Sequence, residues 1–345
     1  MCGYALDRIK AVFPPWEIKP SQSQAIDIKT EFPFSLERYL GGGQVERVLV
    51  VPPIINHPWI LDMRPEISVI QRFCERGFEV YMIRWNCDHE QDVGFYQMIS
   101  FIREVLGKIG NTSIFGYCTG GIIALLFTSF YPKWVNSLSL LATPVEFSSP
   151  DLRILWGKFF DAGPFRRVFK NIPGQVINAM GMALWYYHLP VFLCHREFIH
   201  EMTGEEILID YWRRLRWIVE TPSIPGKAYE EFIQGCYKEN VLIKNAMTIE
   251  GHRVVLSEIE GPLLNIMAQY DHLVPLESVR ALRKAVTASY YEEIIFPSSH
   301  VGLSVSRRAH QELWPTVAHW IKENHLRNRP MRPTGRSDDS SSPST

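Results

Sequence analysis

The sequence lacks a long hydrophobic run, which argues against an integral membrane protein. No window of its 345 residues reaches the roughly 18 apolar residues that a membrane-spanning helix needs. The opening segment MCGYALDRIK carries charges at Asp7, Arg8 and Lys10 and has no apolar stretch typical of a signal peptide. We therefore expect a cytoplasmic protein.

Cysteine pairs and metal-binding patterns are also missing. The six cysteines are far apart and form no C-x-x-C motif; they are Cys2, Cys74, Cys87, Cys118, Cys194 and Cys236. A disulfide framework is not expected in a chain of this length, which favours a reducing compartment. The histidines have no metal-ligand spacing, and no glycine-rich phosphate loop is present. We predict neither a bound metal nor a cofactor.

An excess of charge of either sign is absent as well. The chain has 36 Lys and Arg against 37 Asp and Glu, and no basic stripe stands out, so nucleic acid is not predicted as a partner. Hydrophobic residues make up 46% of the chain and aromatic residues 12%. This supply is sufficient for a sizeable core, and it also favours a large apolar pocket or an adhesive surface.

What the sequence does contain is an alternation of apolar strand and helix patterns. Predicted strands cover 46–55, 77–85, 112–116, 135–144, 261–271 and 290–300. Predicted helices cover 92–110, 119–130 and 307–324. Alternation of this kind predicts an α/β fold with a mostly parallel sheet and helices on both faces.

The alternation is interrupted once. Residues 148–250 have helical patterns and many aromatic side chains, which predicts a mainly helical cap inserted into the α/β core. The core then comprises 1–147 and 251–326, and the polar segment 327–345 is predicted to be disordered because it has too little apolar surface to fold.

The motif GYCTGG at 116–121 is the first candidate for chemistry. A strand, a glycine-flanked turn and a helix surround Cys118, as they surround the nucleophile in the G-x-S-x-G motif. We expect the glycines to allow the sharp turn that exposes the Cys118 side chain. The alternative is a buried structural cysteine, which is the usual fate of a free thiol. The glycine frame favours a nucleophile.

Two later residues complete a candidate triad. Asp271 and His300 each follow a late strand, and nucleophile, acid and histidine come in this order in such folds. Alone, Asp271 would be interpreted as a helix cap and His300 as a loop histidine. The backbone N–H groups of Thr119 and of Ile54 or Ile55 are predicted to form the oxyanion hole, since Pro52 and Pro53 cannot donate.

Several segments together resemble the polyhydroxyalkanoate synthases, which belong to the α/β-hydrolase superfamily. They are VPPIINHPWILDMRPEISVIQRFCERGFEVYMIRWN, GYCTGG, NIPGQVIN, LNIMAQYDHLVP and FPSSHVGL. The similarity extends over about residues 40–325, and the short chain resembles the class III catalytic subunit. One departure is Ser298-Ser299, where the family usually has Gly-Gly before the histidine. The loop that carries His300 is therefore expected to differ.

The resemblance implies an α/β-hydrolase fold with a cap and an acyltransferase activity. The substrate would be an (R)-3-hydroxyacyl-CoA, such as 3-hydroxybutyryl-CoA, which is polymerised with release of CoA. By the same resemblance Cys118 carries the acyl group, His300 is the general base, Asp271 is the third catalytic residue and His272 lines the site. The implied partners are an accessory synthase subunit, further copies of the chain and the surface of a polyester granule.

A thiol suits this chemistry better than a hydroxyl. Transfer from CoA to Cys118 exchanges one thioester for another, and transfer from Cys118 to a hydroxyl makes a more stable oxygen ester. The sequence leaves two alternatives open. One is a cysteine hydrolase of the dienelactone hydrolase or polyester depolymerase type, and the other is a granule-associated protein without activity.

Overall fold

The computed structural model describes the central part of the chain. The described residues are 25–28, 32–40, 46–85, 92–151, 158, 163–168, 170–185, 210, 213–214, 216–217 and 220–325. Within them, the strands are β1 Ala25–Ile28, β2 Ser35–Tyr39, β3 Arg47–Val51, β4 Glu79–Arg84, β5 Thr112–Tyr117, β6 Val135–Leu141, β7 Asn171–Ile172, β8 Ile224–Pro225, β9 Thr248–Ile249, β10 His252–Arg253, β11 Leu263–Ala268 and β12 Tyr291–Phe296.

Helices connect most of these strands. The α-helices are α1 Val69–Glu75, α2 Phe95–Ile109, α3 Thr119–Phe130, α4 Gly163–Val168, α5 Gly174–Trp185, α6 Gly226–Glu231, α7 Leu276–Arg280, α8 Gly302–Val305 and α9 Trp314–Asn324. Short 3-10 helices cover Pro58–Leu61, Pro65–Ile67, Pro132–Trp134, Leu256–Glu258 and Ala281–Lys284. Helical turns of the π type cover Phe232–Lys238 and Ala309–Leu313.

Eight strands form one sheet in the order β1-β2-β4-β3-β5-β6-β11-β12. From β4 to β12 every neighbouring pair is parallel, whereas β1 and β2 add an antiparallel edge. The predicted, mostly parallel sheet is confirmed. Because the central strands are parallel, the residues that follow β3, β5, β11 and β12 meet at one edge of the sheet.

Helices cover both faces of this sheet, as predicted. On one face α2 and α3 pack over side chains such as Leu49 and Val51, and on the other α1 and α9 pack over Val48 and Val50. Every residue of β5 and β6 is buried. A strand covered on both faces has no exposed side, so these two segments do not alternate between buried and exposed positions. Their buried polar side chains include Ser137, whose hydroxyl donates to Oγ of Ser113 at 2.8 Å.

The described parts of 148–250 include α4, α5, α6, the π-helical turn and two-residue strands, with β7 antiparallel to β8. The boundaries of the cap at 148 and 250 remain a prediction. Residues 186–209, and the tail from 326 onward, lie outside the described residues. Among the described helices, none has the length and apolar character needed to cross a bilayer. Cys74, Cys118 and Cys236 are free thiols.

Candidate active site

Cys118 occupies a sharp turn between β5 and α3. Its backbone has φ 53° and ψ −121°, a conformation that residues with a side chain rarely adopt. Two hydrogen bonds hold the turn: the Cys118 N–H donates to the Leu141 carbonyl at 2.8 Å, and the Gly121 N–H donates to the Cys118 carbonyl at 3.0 Å. The strained turn lifts the half-buried thiol beyond the end of β5, as in a nucleophile elbow.

The glycines around Cys118 are needed for close packing and do not themselves carry the strained backbone of the turn. Gly116, Gly120 and Gly121 all lack a left-handed backbone, so the strain of the turn is carried by Cys118 itself. They are required because the chain is too close for a side chain: a Cβ on Gly121 would lie 1.8 Å from Oγ1 of Thr143, and one on Gly120 would lie 2.2 Å from the Pro52 carbonyl oxygen. The glycines let α3 pack against the ends of β3 and β6.

His300 and Asp271 form a buried pair beyond the ends of β12 and β11. Nδ1 of His300 lies 2.7 Å from Oδ2 of Asp271, and the two side chains are 6% and 3% exposed. The other carboxylate oxygen of Asp271 accepts the N–H groups of Leu273 and Val274, both at 2.8 Å. Asp271 therefore caps a turn and orients His300 at once. With Nδ1 facing a carboxylate, Nε2 is left as the nitrogen that can accept a proton.

The charge of this pair is set by opposing effects. Burial lowers the pKa of His300, but the Asp271 carboxylate, together with Tyr117 and Cys118, raises it well above its usual value. An imidazolium held in this way can stabilise a thiolate, which is the reactive form of cysteine. Cys118 packs against the small apolar cluster of Met267, Val274 and Val279, so its surroundings are largely apolar.

Tyr117 links Cys118 to His300 and was not predicted from the sequence. Its ring stacks on the imidazole with ring centroids 5.2 Å apart and an interplanar angle of 28°. Its hydroxyl donates to the backbone carbonyl of His300 at 3.2 Å, and burial raises the pKa of Tyr117 to about 12. The only signal in the sequence was the position directly before Cys118, which does not show that the ring meets a residue 183 positions later.

The predicted oxyanion donors lie in two segments that touch each other. The Ile54 N–H donates to Oγ1 of Thr119 at 3.0 Å. The N–H groups of Ile55 and Thr119 make no hydrogen bond with any part of the protein that the structure describes. Of the two alternatives in this loop, Ile55 therefore keeps a donor available, while that of Ile54 is engaged. Trp85 steadies the loop, since its Nε1–H donates to the Pro52 carbonyl at 2.9 Å.

The loop that carries His300 accommodates the two serines without strain. Ser298 and Ser299 both lack the left-handed backbone that would require glycine. Oγ of Ser299 accepts the Gly302 N–H at 3.1 Å, close to the start of α8. His272 is half-buried beside Asp271, and its role as a residue that lines the site stays a prediction. Within the described ranges there is no group of three or more His, Cys, Asp or Glu side chains that could hold a metal ion.

Comparison with known proteins identifies the fold and several similar relatives. A family model for the alpha/beta hydrolase fold matches residues 76–305. The poly(3-hydroxyalkanoate) polymerase subunit PhaC of Haloarcula marismortui is 30% identical over 80% of this chain and 60% of its own length. The corresponding subunit of Allochromatium vinosum is 28% identical over 80% of both chains. The chain thus spans about 60% of the archaeal relative.

Solved structures agree on the fold. The monoacylglycerol lipase of Paleococcus ferrophilus has a TM-score of 0.54 at 12% identity, covering 84% of this chain and 99% of the lipase. A thermophilic esterase from Thermogutta terrifontis has a TM-score of 0.53 at 16% identity, covering 88% of this chain and all of the esterase. The chain therefore belongs to the alpha/beta hydrolase fold family, and within it the chain resembles the poly(3-hydroxyalkanoate) polymerase subunits.

Proposed function

We propose that this chain polymerises an (R)-3-hydroxyacyl-CoA into polyhydroxyalkanoate and releases CoA. The observation that carries the proposal is a cysteine at the nucleophile elbow beside the His300–Asp271 pair, whose Nδ1–Oδ2 distance is 2.7 Å, in a chain similar to polymerase subunits. The proposed catalytic residues are Cys118, His300 and Asp271.

Acylation would begin with Nε2 of His300 taking the proton of the Cys118 thiol. The thiolate then adds to the thioester carbonyl of the substrate, and the N–H groups of Thr119 and Ile55 donate to the oxygen that becomes negative. The tetrahedral intermediate expels the thiolate of CoA, which takes the proton from the His300 imidazolium. The acyl group is left on Cys118 as a thioester, at a nearly unchanged free energy.

Chain growth would follow when a hydroxyl attacks this thioester. A general base removes the hydroxyl proton, the new C–O bond forms an ester, and the Cys118 thiolate leaves and is reprotonated. His300 and Asp271 are both candidates for this base. The Asp271 carboxylate already accepts hydrogen bonds from the N–H groups of Leu273 and Val274 and faces Nδ1 of His300. His300, whose Nε2 is left to accept a proton, is therefore the favoured base.

The finer parts of the proposal rest on the resemblance and on the sequence patterns, and not on the geometry of the site. They are a short-chain substrate such as 3-hydroxybutyryl-CoA, an accessory subunit, a homo-oligomeric form, the absence of a cofactor and an association with cytoplasmic polyester granules. Water would have to be kept from the Cys118 thioester, and the cap at 148–250 is the segment proposed to exclude it.

Product analysis separates this proposal from its alternatives. The full chain is incubated with 3-hydroxybutyryl-CoA, and both the released CoA and the size of the acyl product are measured. Polymer together with CoA supports the synthase. Free 3-hydroxybutyrate together with CoA indicates a cysteine hydrolase. No CoA release indicates a non-catalytic protein and contradicts the proposal.

A further inference from the structure

The loop between β3 and α1 contains the Ile55 N–H, and part of the cap reaches it. We propose that Thr221 and Trp217 of the cap are positioning residues that hold Asn56 and His57 and thereby aim the Ile55 N–H at the acyl carbonyl. The proposal rests on the proposed acylation of Cys118, but it does not depend on polymer as the product.

The first contact is a hydroxyl between two amides. Oγ1 of Thr221 lies 2.5 Å from Oδ1 of Asn56 and 2.6 Å from Oδ1 of Asn178. Thr221 is only 8% exposed, so its proton has to be used by one of these amides rather than by water. Asn178 belongs to α5, and the contact therefore joins two parts of the cap to the loop.

Asn56 is the residue whose conformation the contact controls. Its φ of 71° is left-handed, and it directly follows Ile55. Asparagine tolerates this conformation better than most residues, but the conformation still costs free energy and persists only when the surroundings fix it. Rotation at Asn56 would turn the peptide units on either side of it, which carry the Ile55 carbonyl and the Asn56 N–H. The Ile55 N–H belongs to the preceding peptide unit and would be displaced together with the loop segment that Asn56 anchors.

Two more contacts run from the same stretch of the cap to the same loop. Nε1–H of Trp217 donates to the His57 carbonyl at 2.7 Å. Arg64 pairs with Asp210 at 2.9 Å, and these side chains are 10% and 9% exposed. Three contacts thus join residues 210–221 of the cap to residues 56–64 of the loop. The partners are 146 to 165 positions apart in the sequence.

The packing of α5 completes the connection. A Cβ on Gly174 would lie 1.7 Å from the Thr221 carbonyl oxygen, so the first residue of α5 is pressed against the backbone that presents the Thr221 hydroxyl. Movement of α5 would therefore shift Thr221. The donor at Ile55 is in place only while this part of the cap is docked, which makes acylation dependent on cap position.

Two reactions of the Cys118 thiol can show whether Thr221 positions the Ile55 N–H or only stabilises the fold. Addition to an acyl carbonyl creates an oxyanion and needs the Ile55 N–H, whereas alkylation by iodoacetamide displaces iodide at a saturated carbon and creates none. Loss of one donor of an oxyanion hole costs about 10² to 10³ in rate, and misalignment of a donor that is still present should cost roughly tenfold. A structural role would slow both reactions together.

The test uses full-length Thr221→Val, which keeps the shape of the side chain and removes its hydroxyl. Acylation of Cys118 is followed by the burst of p-nitrophenolate from p-nitrophenyl acetate, and alkylation by mass spectrometry of the Cys118 peptide. We expect acylation to be roughly tenfold slower and alkylation to stay within about twofold. Thr221→Ser, which restores the hydroxyl, should return acylation to near the parent rate.

The matched control is Thr128→Val. Thr128 is also buried and its hydroxyl donates to the Ala124 carbonyl at 2.7 Å, but it lies within α3 and away from the loop. We expect an unchanged ratio of acylation to alkylation. If Thr221→Val does not fold, Trp217→Phe replaces it, because this variant keeps a ring and loses only the bond to His57.

An unchanged ratio in Thr221→Val, or an equal fall in both rates, would overturn the proposal. A parent chain that releases free acid from 3-hydroxybutyryl-CoA would contradict polymer synthesis and leave this inference standing if the ratio still falls in the variant. A parent chain that is alkylated but never acylated would contradict both.

Discussion

The ring of Tyr117 lies flat against the imidazole of His300, and its hydroxyl holds the backbone of the same histidine. The ring centroids are 5.2 Å apart, and the hydroxyl lies 3.2 Å from the His300 carbonyl oxygen. Because Tyr117 directly precedes Cys118, one residue fixes the position of the proposed base relative to the proposed nucleophile.

Substitutions of Tyr117 should distinguish the contribution of its ring to acylation from that of its hydroxyl. Tyr117→Phe keeps the stacking and loses one hydrogen bond of about 1 kcal/mol, so acylation should slow by less than about tenfold. Tyr117→Leu removes the flat surface, and a shift of the imidazole by about 1 Å should cost roughly 10²-fold. Single-turnover acylation measures both, at saturating substrate so that binding does not contribute. Acylation of Tyr117→Leu at the parent rate would show that the ring does not position His300.

The strain at Cys118 gives a second prediction. Cys118→Ala should lose acyl transfer but keep the fold, since Ala has the same Cβ in the same backbone conformation. Cys118→Gly should also be inactive, yet more stable than Cys118→Ala by about 1 kcal/mol, because glycine adopts φ 53° without steric cost. Urea unfolding compares the two variants. Equal stabilities would mean that the turn is not strained.

Cys118→Ser tests the choice of a thiol. The serine acyl-enzyme would be an oxygen ester and would have lost the free energy that drives transfer to a hydroxyl. We expect little or no polymer from this variant, measured as product size with 3-hydroxybutyryl-CoA. Polymer formation at the parent rate would remove the thioester from the mechanism.

The raised pKa of His300 predicts how stability depends on pH. A histidine whose folded pKa exceeds its unfolded value of about 6.5 binds its proton more tightly in the folded state. The resulting stabilisation is fully present below about pH 6.5 and is lost as the pH rises through the folded pKa. Asp271→Asn removes the carboxylate that contributes to this shift, so the stability lost by the variant should be larger at pH 6 than at high pH.

Denaturant unfolding of the parent and of Asp271→Asn over this pH range provides the measurement. The difference in their free energies of unfolding should shrink as the pH rises. A difference that stays constant or grows would contradict the assigned direction of the pKa shift.

Gly121 at the elbow has no space for a side chain, whereas Gly107 in α2 does. Gly121→Ala should destabilise the fold by about 1 to 3 kcal/mol, because the added Cβ would meet Oγ1 of Thr143 at 1.8 Å. Gly107→Ala in α2 is the control. Nothing lies within 4 Å of its Cβ position, so the change should stabilise the helix by about 0.5 to 1 kcal/mol. Destabilisation by both changes to the same extent would argue against close packing at Gly121.

Local patterns in the sequence were sufficient for most of the core. The helix predicted at 119–130 has the same limits in the structure, because its apolar run and the turn before it are local features. The strands predicted at 46–55 and 290–300 end earlier, at Val51 and Phe296. Pro52 and Pro53 lack N–H donors and stop the first of them. The antiparallel strands β1 and β2 were missed.

The candidate site was predictable where it depends on sheet order and not where it depends on contacts across the fold. Strand ends placed Cys118, Asp271 and His300 at one edge, and chain order suggested the roles that we propose for them. The stacking of Tyr117 and the hydrogen bond from Ile54 to Thr119 join residues that are 183 and 65 positions apart. The spacing of apolar residues along the chain does not predict contacts between residues so far apart. These contacts depend on how the strands and loops assemble in three dimensions.

Trapping of the acyl-enzyme tests the proposed chemistry most directly. The full chain is mixed with a limiting amount of 3-hydroxybutyryl-CoA, quenched in acid within one turnover, digested and examined by mass spectrometry while released CoA is counted. We predict one 3-hydroxybutyryl group on the Cys118 peptide for each CoA released, followed by oligomers on that thiol when more substrate is added. CoA release with the acyl group on another residue, or with free acid and no acylated Cys118, would contradict this mechanism.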